Sequence, residues 1–275
     1  MISFLEGLHP VAAALAATTF TWALTAAGAS VSLLRRQMPR KMLDGMLGFA
    51  AGVMLAASYW SLLAPAMEIA LAQGALQWLP AAVGFLAGAL FMRLADAVVP
   101  HLHPGLSRNV ADGPASQLRP AVLLVLAVTL HNIPEGLAIG VAFGAVDNAI
   151  AGLGGVGTSV AGAAALALGI GIQNFPEGIA VSVPLRRAGL SPWASLFWGQ
   201  FSALVEIGAG VLGAALAAQI APALPYALSF AAGAMVFVVA EELIPEAQAD
   251  GNTDVATMGV ILGFVVMMVL DVALG

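Results

Sequence analysis

Eight runs of mostly apolar residues, at about 9–34, 44–69, 78–99, 119–143, 157–185, 191–218, 222–247 and 255–274, fill nearly the whole chain, and each can cross the roughly 30 Å hydrocarbon core of a bilayer as a helix. A bilayer offers no water to backbone N–H and C=O groups, so only helices and closed barrels can span it, and runs of this length select helices. Composition supports this reading. The chain has 275 residues, of which 61% are hydrophobic and 9% charged, whereas ordinary soluble domains carry about 25% charged residues. The expected fold is an all-α polytopic membrane protein forming a single transmembrane domain over 1–275. The first run follows Met1-Ile2-Ser3-Phe4-Leu5-Glu6 with no Lys or Arg ahead of it, and it is long enough to be a spanning helix rather than a removed signal.

Basic residues set the orientation. Arg35, Arg36, Arg40 and Lys41 lie between runs one and two, Arg108 and Arg119 between three and four, and Arg186 and Arg187 between five and six. The intervening loops carry none, so the positive-inside rule makes these loops cytoplasmic and places both termini outside. The longest connection, 100–118, contains Pro100-His101-Leu102-His103 and then Gly, Ser, Asn, Asp and Pro, and reads as a flexible cytoplasmic loop. Arg93 lies within the third run and has Asp96 as a local partner. There is no basic patch for nucleic acid. Cysteine is absent, which removes disulfides, thiolate metal sites and cysteine catalysis.

Runs four and five share a polar phrase, His131-Asn132-Ile133-Pro134-Glu135-Gly136 and Gln173-Asn174-Phe175-Pro176-Glu177-Gly178. An ionised carboxylate at mid-bilayer costs about 2.5–3.5 kcal/mol, so Glu135 and Glu177 need a compensating proton or cation. Residues four apart share a helix face, which sets His131 over Glu135 and Gln173 over Glu177. Pro134 and Pro176 lack N–H groups and release the carbonyls of Leu130 and Ile172. Imidazole, carboxylates, amides and spare carbonyls together have the ligand chemistry of a divalent metal. The two phrases lie on antiparallel helices, three runs before and three after, which predicts a 3+2+3 arrangement with inverted-repeat pseudo-symmetry and a site near the midplane.

Other runs add polar groups. Run six has Gln200, with Ser202 and Glu206 four apart; run seven ends in Glu241-Glu242-Leu243-Ile244-Pro245-Glu246; run two aligns Ser61, Pro65 and Glu68; Asp271 lies near the outer end of run eight. Taken singly, Ser61, Gln200 and Ser202 read as interhelical hydrogen-bonding residues, and Glu68, Glu246 and Asp271 serve an interfacial role as readily as a metal role. His131 with Glu135 also suits a simple buried hydrogen-bonded pair. The eleven Met residues read as packing. Glu135, Glu177 and Glu206 concentrate acid without a nearby Lys or Arg, which favours a cation site. Proton-coupled transport of another solute is the alternative, because a protonated Glu also removes the charge. An intramembrane protease fits poorly, since there is no His-Glu-x-x-His and Lys41, in a loop, is the only lysine. No Gly-rich phosphate loop couples the chain to ATP.

These motifs resemble those of the ZIP family of divalent metal transporters, the zinc- and iron-regulated-transporter-like proteins, particularly its bacterial members. The resemblance covers essentially the whole chain and rests on the doubled phrase, the eight helices and the His-bearing loop. It implies no enzymatic activity and no catalytic cofactor; the metal, zinc with cadmium, iron or manganese as alternates, is the substrate and moves into the cytoplasm. It implies a first metal among His131, Glu135, Gln173 and Glu177, and a second among Asn132, Asn174 and Glu206 with the glutamates bridging. Ser61 and Glu68 would lie on the outer approach, and Glu241, Glu242, His101 and His103 on the cytoplasmic exit. A homodimer in the bacterial plasma (inner) membrane, working by an elevator-like movement, is also implied. Two departures stand out: family members often carry Asp where Asn174 stands and His-Glu where this chain has Glu241-Glu242. Oxygen ligands in place of nitrogen favour harder ions such as manganese or ferrous iron.

Overall fold

The computed structural model describes residues 2–98, 120–150 and 159–274. Among these residues there is no strand, and eight helices are long and apolar enough to cross a membrane. In chain order they are α1 Pro10–Leu34, α2 Arg40–Ala72, α3 Trp78–Val98, α4 Pro120–Ile150, α5 Val160–Arg187, α6 Pro192–Ala217, α7 Ala221–Gln248 and α8 Thr253–Leu274. A short helical turn, Ile2–Leu5, precedes them. The loop expected at 100–118, with His101 and His103, lies outside the described residues.

Proline acts on these helices in two ways. Pro65 in α2 and Pro245 in α7 each follow a π-helical stretch, Ser58–Leu63 and Val239–Leu243, that ends two residues before the proline. A proline ring crowds the carbonyl four residues back and supplies no N–H, and the wider π turn relieves both demands. By contrast, α4 and α5 run continuously through Pro134 and Pro176, so the doubled phrase lies in unbroken helices rather than in proline-broken ones. The interruption in this part of the molecule lies in α6. It divides into Pro192–Phe201 and Leu204–Ala217 around Ser202 and Ala203, so Ser202 and Glu206 are not neighbours on one continuous face.

Four helix pairings dominate the packing: α1 with α5, α4 with α6, α2 with α8 and α3 with α7. They divide the chain into one block of α1, α4, α5 and α6 and another of α2, α3, α7 and α8. The blocks meet where α4 touches α7 and where α5 touches α2 and α8. Glycine sets the closest approaches. A Cβ at Gly136 would run into the Glu206 backbone, one at Gly178 into the Thr25 carbonyl, and one at Gly88 into the Phe230 carbonyl. The glycine that ends each polar phrase therefore presses α4 onto α6 and α5 onto α1, as small residues do in membrane helix packing. Gly208 faces open space, whereas Gly210, two residues further along α6, packs against Thr18 and Gly136.

Burial places the doubled phrase at the centre. Of the spanning stretches of α4 and α5, 72% and 78% is buried, against 22% for α3 and for α8. Leu86, Leu90 and Leu94 on α3, and Ile261, Leu262, Val265 and Val269 on α8, turn outward as a lipid-facing surface does. Arg93 is exposed, with Nη1 at 3.9 Å from Asp96 Oδ2, the local pair that its spacing suggested.

Candidate metal centre

All seven residues expected at the midplane are buried: His131, Asn132, Glu135, Gln173, Asn174, Glu177 and Glu206. They connect across helices rather than along them. Gln173 Nε2 donates to Glu135 Oε1 at 2.7 Å and to Asn174 Oδ1 at 2.7 Å, and Asn174 Nδ2 donates to Glu206 Oε2 at 3.0 Å. Thr21 Oγ1 on α1 completes the run by donating to Glu206 Oε1 at 2.5 Å. On the other side of the cluster Asn132 Nδ2 donates to Glu177 Oε1 at 2.9 Å and to the Val128 carbonyl at 2.8 Å. His131 Nε2 meets Glu242 Oε2 of α7. The stacking of His131 on Glu135 and of Gln173 on Glu177 is thus replaced by pairs between α4 and α5 and between α4 and α7. Packing of α4 against α5 and α7 brings side chains of different helices closer than side chains one turn apart.

Two oxygens in this network have no hydrogen-bond donor, Asn132 Oδ1 and Glu135 Oε2. Buried polar atoms are nearly always satisfied, and exceptions mark functional or ligand-accepting positions. Among the described residues no Lys or Arg side chain pairs with Glu135, Glu177 or Glu206. Nor, among those residues, do three His, Asp or Glu groups already surround one point as a metal cage. The amides hold the carboxylates apart, each giving its N–H to an oxygen that would otherwise face another acid. Turning an amide about its last torsion exchanges N–H for carbonyl oxygen, so the same side chains can serve either as donors to carboxylates or as oxygen ligands to a cation.

The other expected residues divide. A cavity of about 30 Å³ is lined by His131, Glu177, Glu242, Glu246, Leu47 and Ala180 among others, so Glu242 and Glu246 adjoin the midplane cluster. Glu241 is exposed and turned away from it, so the expected Glu241-Glu242 exit pair does not act as a unit. Adjacent helical residues point about 100° apart, which accounts for the separation. Ser61 is buried and donates to Asp271 Oδ1 at 2.7 Å, whereas Glu68 is exposed. Asp271, left between an interfacial and a metal role by its sequence position, keeps Oδ2 without a donor.

Sequence reasoning passed over Thr21. Its signal was present, since Thr18, Thr21 and Thr25 recur at helical spacing and all three are buried. Trp22 Nε1, which donates to the carbonyl and to Oε1 of Gln200 at 3.1 Å each, ties α1 to α6 just ahead of the α6 interruption.

An all-helical bundle with opposed polar phrases on two central helices defines a class of integral membrane carriers, and comparison with known proteins identifies which one. The family model described as ZIP Zinc transporter matches residues 107–271. Zinc transporter ZIP11 of Bos taurus is 44% identical, covering 98% of this chain and 100% of that protein. Zinc transporter GufA of Myxococcus xanthus is 38% identical, covering 96% of this chain and 99% of its own length. For Zinc transporter ZIPB of Bordetella bronchiseptica the identity is 39%, over 92% of this chain and 79% of that protein. The chain belongs to the ZIP family, as its doubled phrase implied.

Proposed function

We propose that this protein carries divalent transition metal, zinc foremost, from outside into the cytoplasm through the α4–α5 cluster. The observation that carries the reading is the buried network itself: three glutamates, without an Arg or Lys partner among the described residues, are held by amides and leave Glu135 Oε2 and Asn132 Oδ1 unsatisfied. Three acids in apolar surroundings are tolerable only if protonated or matched by cations. Names of the relatives as zinc transporters support the metal, and His131 suits zinc among the divalent ions. His131, Glu135, Gln173 and Glu177 are the first ligand set; Asn132, Asn174 and Glu206 are the second.

Metal ligation by these residues requires the amides to turn their oxygens inward and release the carboxylates. Metal then passes to Glu242, which meets His131 on the side of the cavity away from the Asn174–Glu206 contact. The division into two blocks supports an elevator-like movement in which α1, α4, α5 and α6 carry the site past α2, α3, α7 and α8. The exposed apolar faces of α3 and α8 suit lipid and a homodimer contact, and the basic loops suit a topology with both termini outside.

The test is zinc uptake into proteoliposomes. Glu177→Ala and His131→Ala abolish uptake while the purified proteins keep the wild-type elution volume and thermal midpoint. Glu242→Gln slows uptake, and Glu241→Gln leaves it unchanged because that side chain faces away from the cavity. Wild-type rates in the Glu177→Ala and His131→Ala proteins would remove the assignment. Accumulation of a different solute driven by a pH gradient, with no zinc movement, would replace it with proton-coupled transport.

A further inference from the structure

Beyond Glu242 the acids continue along α7. Glu242 and Glu246 lie four residues apart on α7 and both line the cavity that reaches His131 and Glu177, and Asp250 follows in the turn just beyond the helix end. The far end of this row is held by a single side chain from the start of α2. Arg40 Nη2 donates to Glu246 Oε1 at 2.6 Å and to the Glu246 carbonyl at 3.2 Å. Its Nε lies 2.7 Å from Asp44 Oδ1 and 2.6 Å from Asp250 Oδ2. Asp44 is fully buried and its other oxygen accepts from Asn252 Nδ2 at 2.8 Å. One guanidinium thus ties α2, the end of α7 and the turn into α8 together at the mouth of the cavity.

We propose that Arg40 is the latch of the cytoplasmic exit: its guanidinium, with Nη2 on Glu246 and Nε on Asp44 and Asp250, closes the cavity below the metal site, and metal leaves when the Glu246 contact lets go. This rests on the topology and direction of transport argued above. The chemistry suits a latch rather than a proton switch. Guanidinium cannot be deprotonated in a protein, so the pair opens by breaking and reforming its hydrogen bonds. Arg40 is 24% exposed, so solvent and salt reach the pair and weaken it, while the planar fork gives it one defined closed geometry. Arg40 faces three carboxylates, so they remain in excess over their one basic partner. A departing cation therefore finds Glu242, Glu246 and then Asp250 in succession and only the guanidinium to displace.

The test reads opening directly and does not depend on metal flux. The chain has no cysteine, so Ala180→Cys, on the cavity wall, gives a single thiol whose modification by a membrane-impermeant methanethiosulfonate is followed in inside-out vesicles. Arg40→Gln is combined with Asp44→Asn so that the fully buried acid does not stay charged without its counter-charge, while Glu246 is released as the latch requires; the new amide still accepts from Asn252. The double variant raises the modification rate about tenfold, as expected for losing several partly exposed charge-assisted contacts together. Arg40→Lys, a point charge without the fork, gives an intermediate rate. Raising salt from low to high speeds modification in the parent and leaves the double variant unchanged. A variant that elutes like wild type yet modifies at the parent rate overturns the latch. Should the double variant not fold, the lysine variant and the salt dependence decide, and equal rates throughout overturn it. A latch that opens as described in a protein that moves no zinc would instead count against the function proposed above.

Discussion

Asn174 stands where its chemistry can be separated from its packing. Its Nδ2 donates to Glu206 and its Oδ1 accepts from Gln173, so it satisfies both neighbours without a charge to offset the acid. In Asn174→Asp the N–H is lost and a carboxylate faces Glu206. Without metal the variant is less stable, because like charges meet in a dry site; with zinc the added charge falls on the cation. Zinc affinity should rise about tenfold, equivalent to about 1.4 kcal/mol, and the zinc-induced rise in thermal midpoint should exceed that of wild type. Titration calorimetry with thermal melts checks both, and unchanged affinity removes Asn174 from the ligand set. The identities of the acids and amides were legible in the chain because a repeated polar phrase in apolar surroundings has few uses. Their partners were not legible. Spacing along one helix set His131 on Glu135, but the nearest acceptors came from α5 and α7, and only packed helices decide which side chains face each other. Glu241 and Glu242 show the same limit, since adjacency in sequence is divergence on a helix.

Helices are where sequence reading reached furthest. The helices run past their expected limits most at α4, which ends at Ile150 rather than 143, and next at α2, which covers Arg40–Ala72 rather than 44–69. The polar residues added at its start, Arg40 and Lys41, are tolerated in the helix because they lie at its end, where Arg40 reaches Glu246 and Asp250. Proline was a less certain guide. Pro65, Pro134, Pro176 and Pro245 all lie within spans, yet of these only Pro65 and Pro245 are preceded by π turns. Glycine decided the pairing of helices but not in a way that composition reveals, as the open space at Gly208 and the contact at Gly210 show. The end of the first phrase offers a test. Gly136→Val places a branched side chain against the Glu206 carbonyl, pushing α4 from α6 at the residue that Thr21 and Asn174 hold. A loss of about 1–3 kcal/mol of stability is expected from overpacking, together with weaker zinc binding, since the same contact fixes Glu206. The thermal midpoint with and without zinc measures both, and a variant that melts and binds like wild type would show that this contact does not position Glu206.

The two blocks give the whole molecule a seam, and the seam is testable because α5 and α8 cross it at one tight contact. A Cβ at Gly169 would lie 3.7 Å from Met267 Cγ, with the Met267 Cβ one bond beyond, so Gly169→Cys with Met267→Cys sets two thiols within reach of each other across the seam. A matched pair lies within one block: a Cβ at Gly45 on α2 would be 3.1 Å from Val255 Cγ1 on α8, so Gly45→Cys with Val255→Cys gives a bridge that does not cross the seam. No native cysteine competes with either. If the blocks slide past each other as bodies, oxidation of the first pair stops zinc uptake into proteoliposomes and reduction restores it, while the second pair transports alike in both states. Closing a bridge at a contact that never moves would change nothing, so full flux through the oxidised 169–267 protein would show that α5 and α8 stay together during transport. Arrest by both bridges would instead place the movement within a block, with the α4–α5 site opening by local rearrangement of its amides and of Glu242. Rigid-body movement is favoured by the packing itself. The glycine contacts at Gly136, Gly178 and Gly88 press helices together inside each block, whereas the cavity at His131, Glu177 and Glu242 lies along the boundary between them.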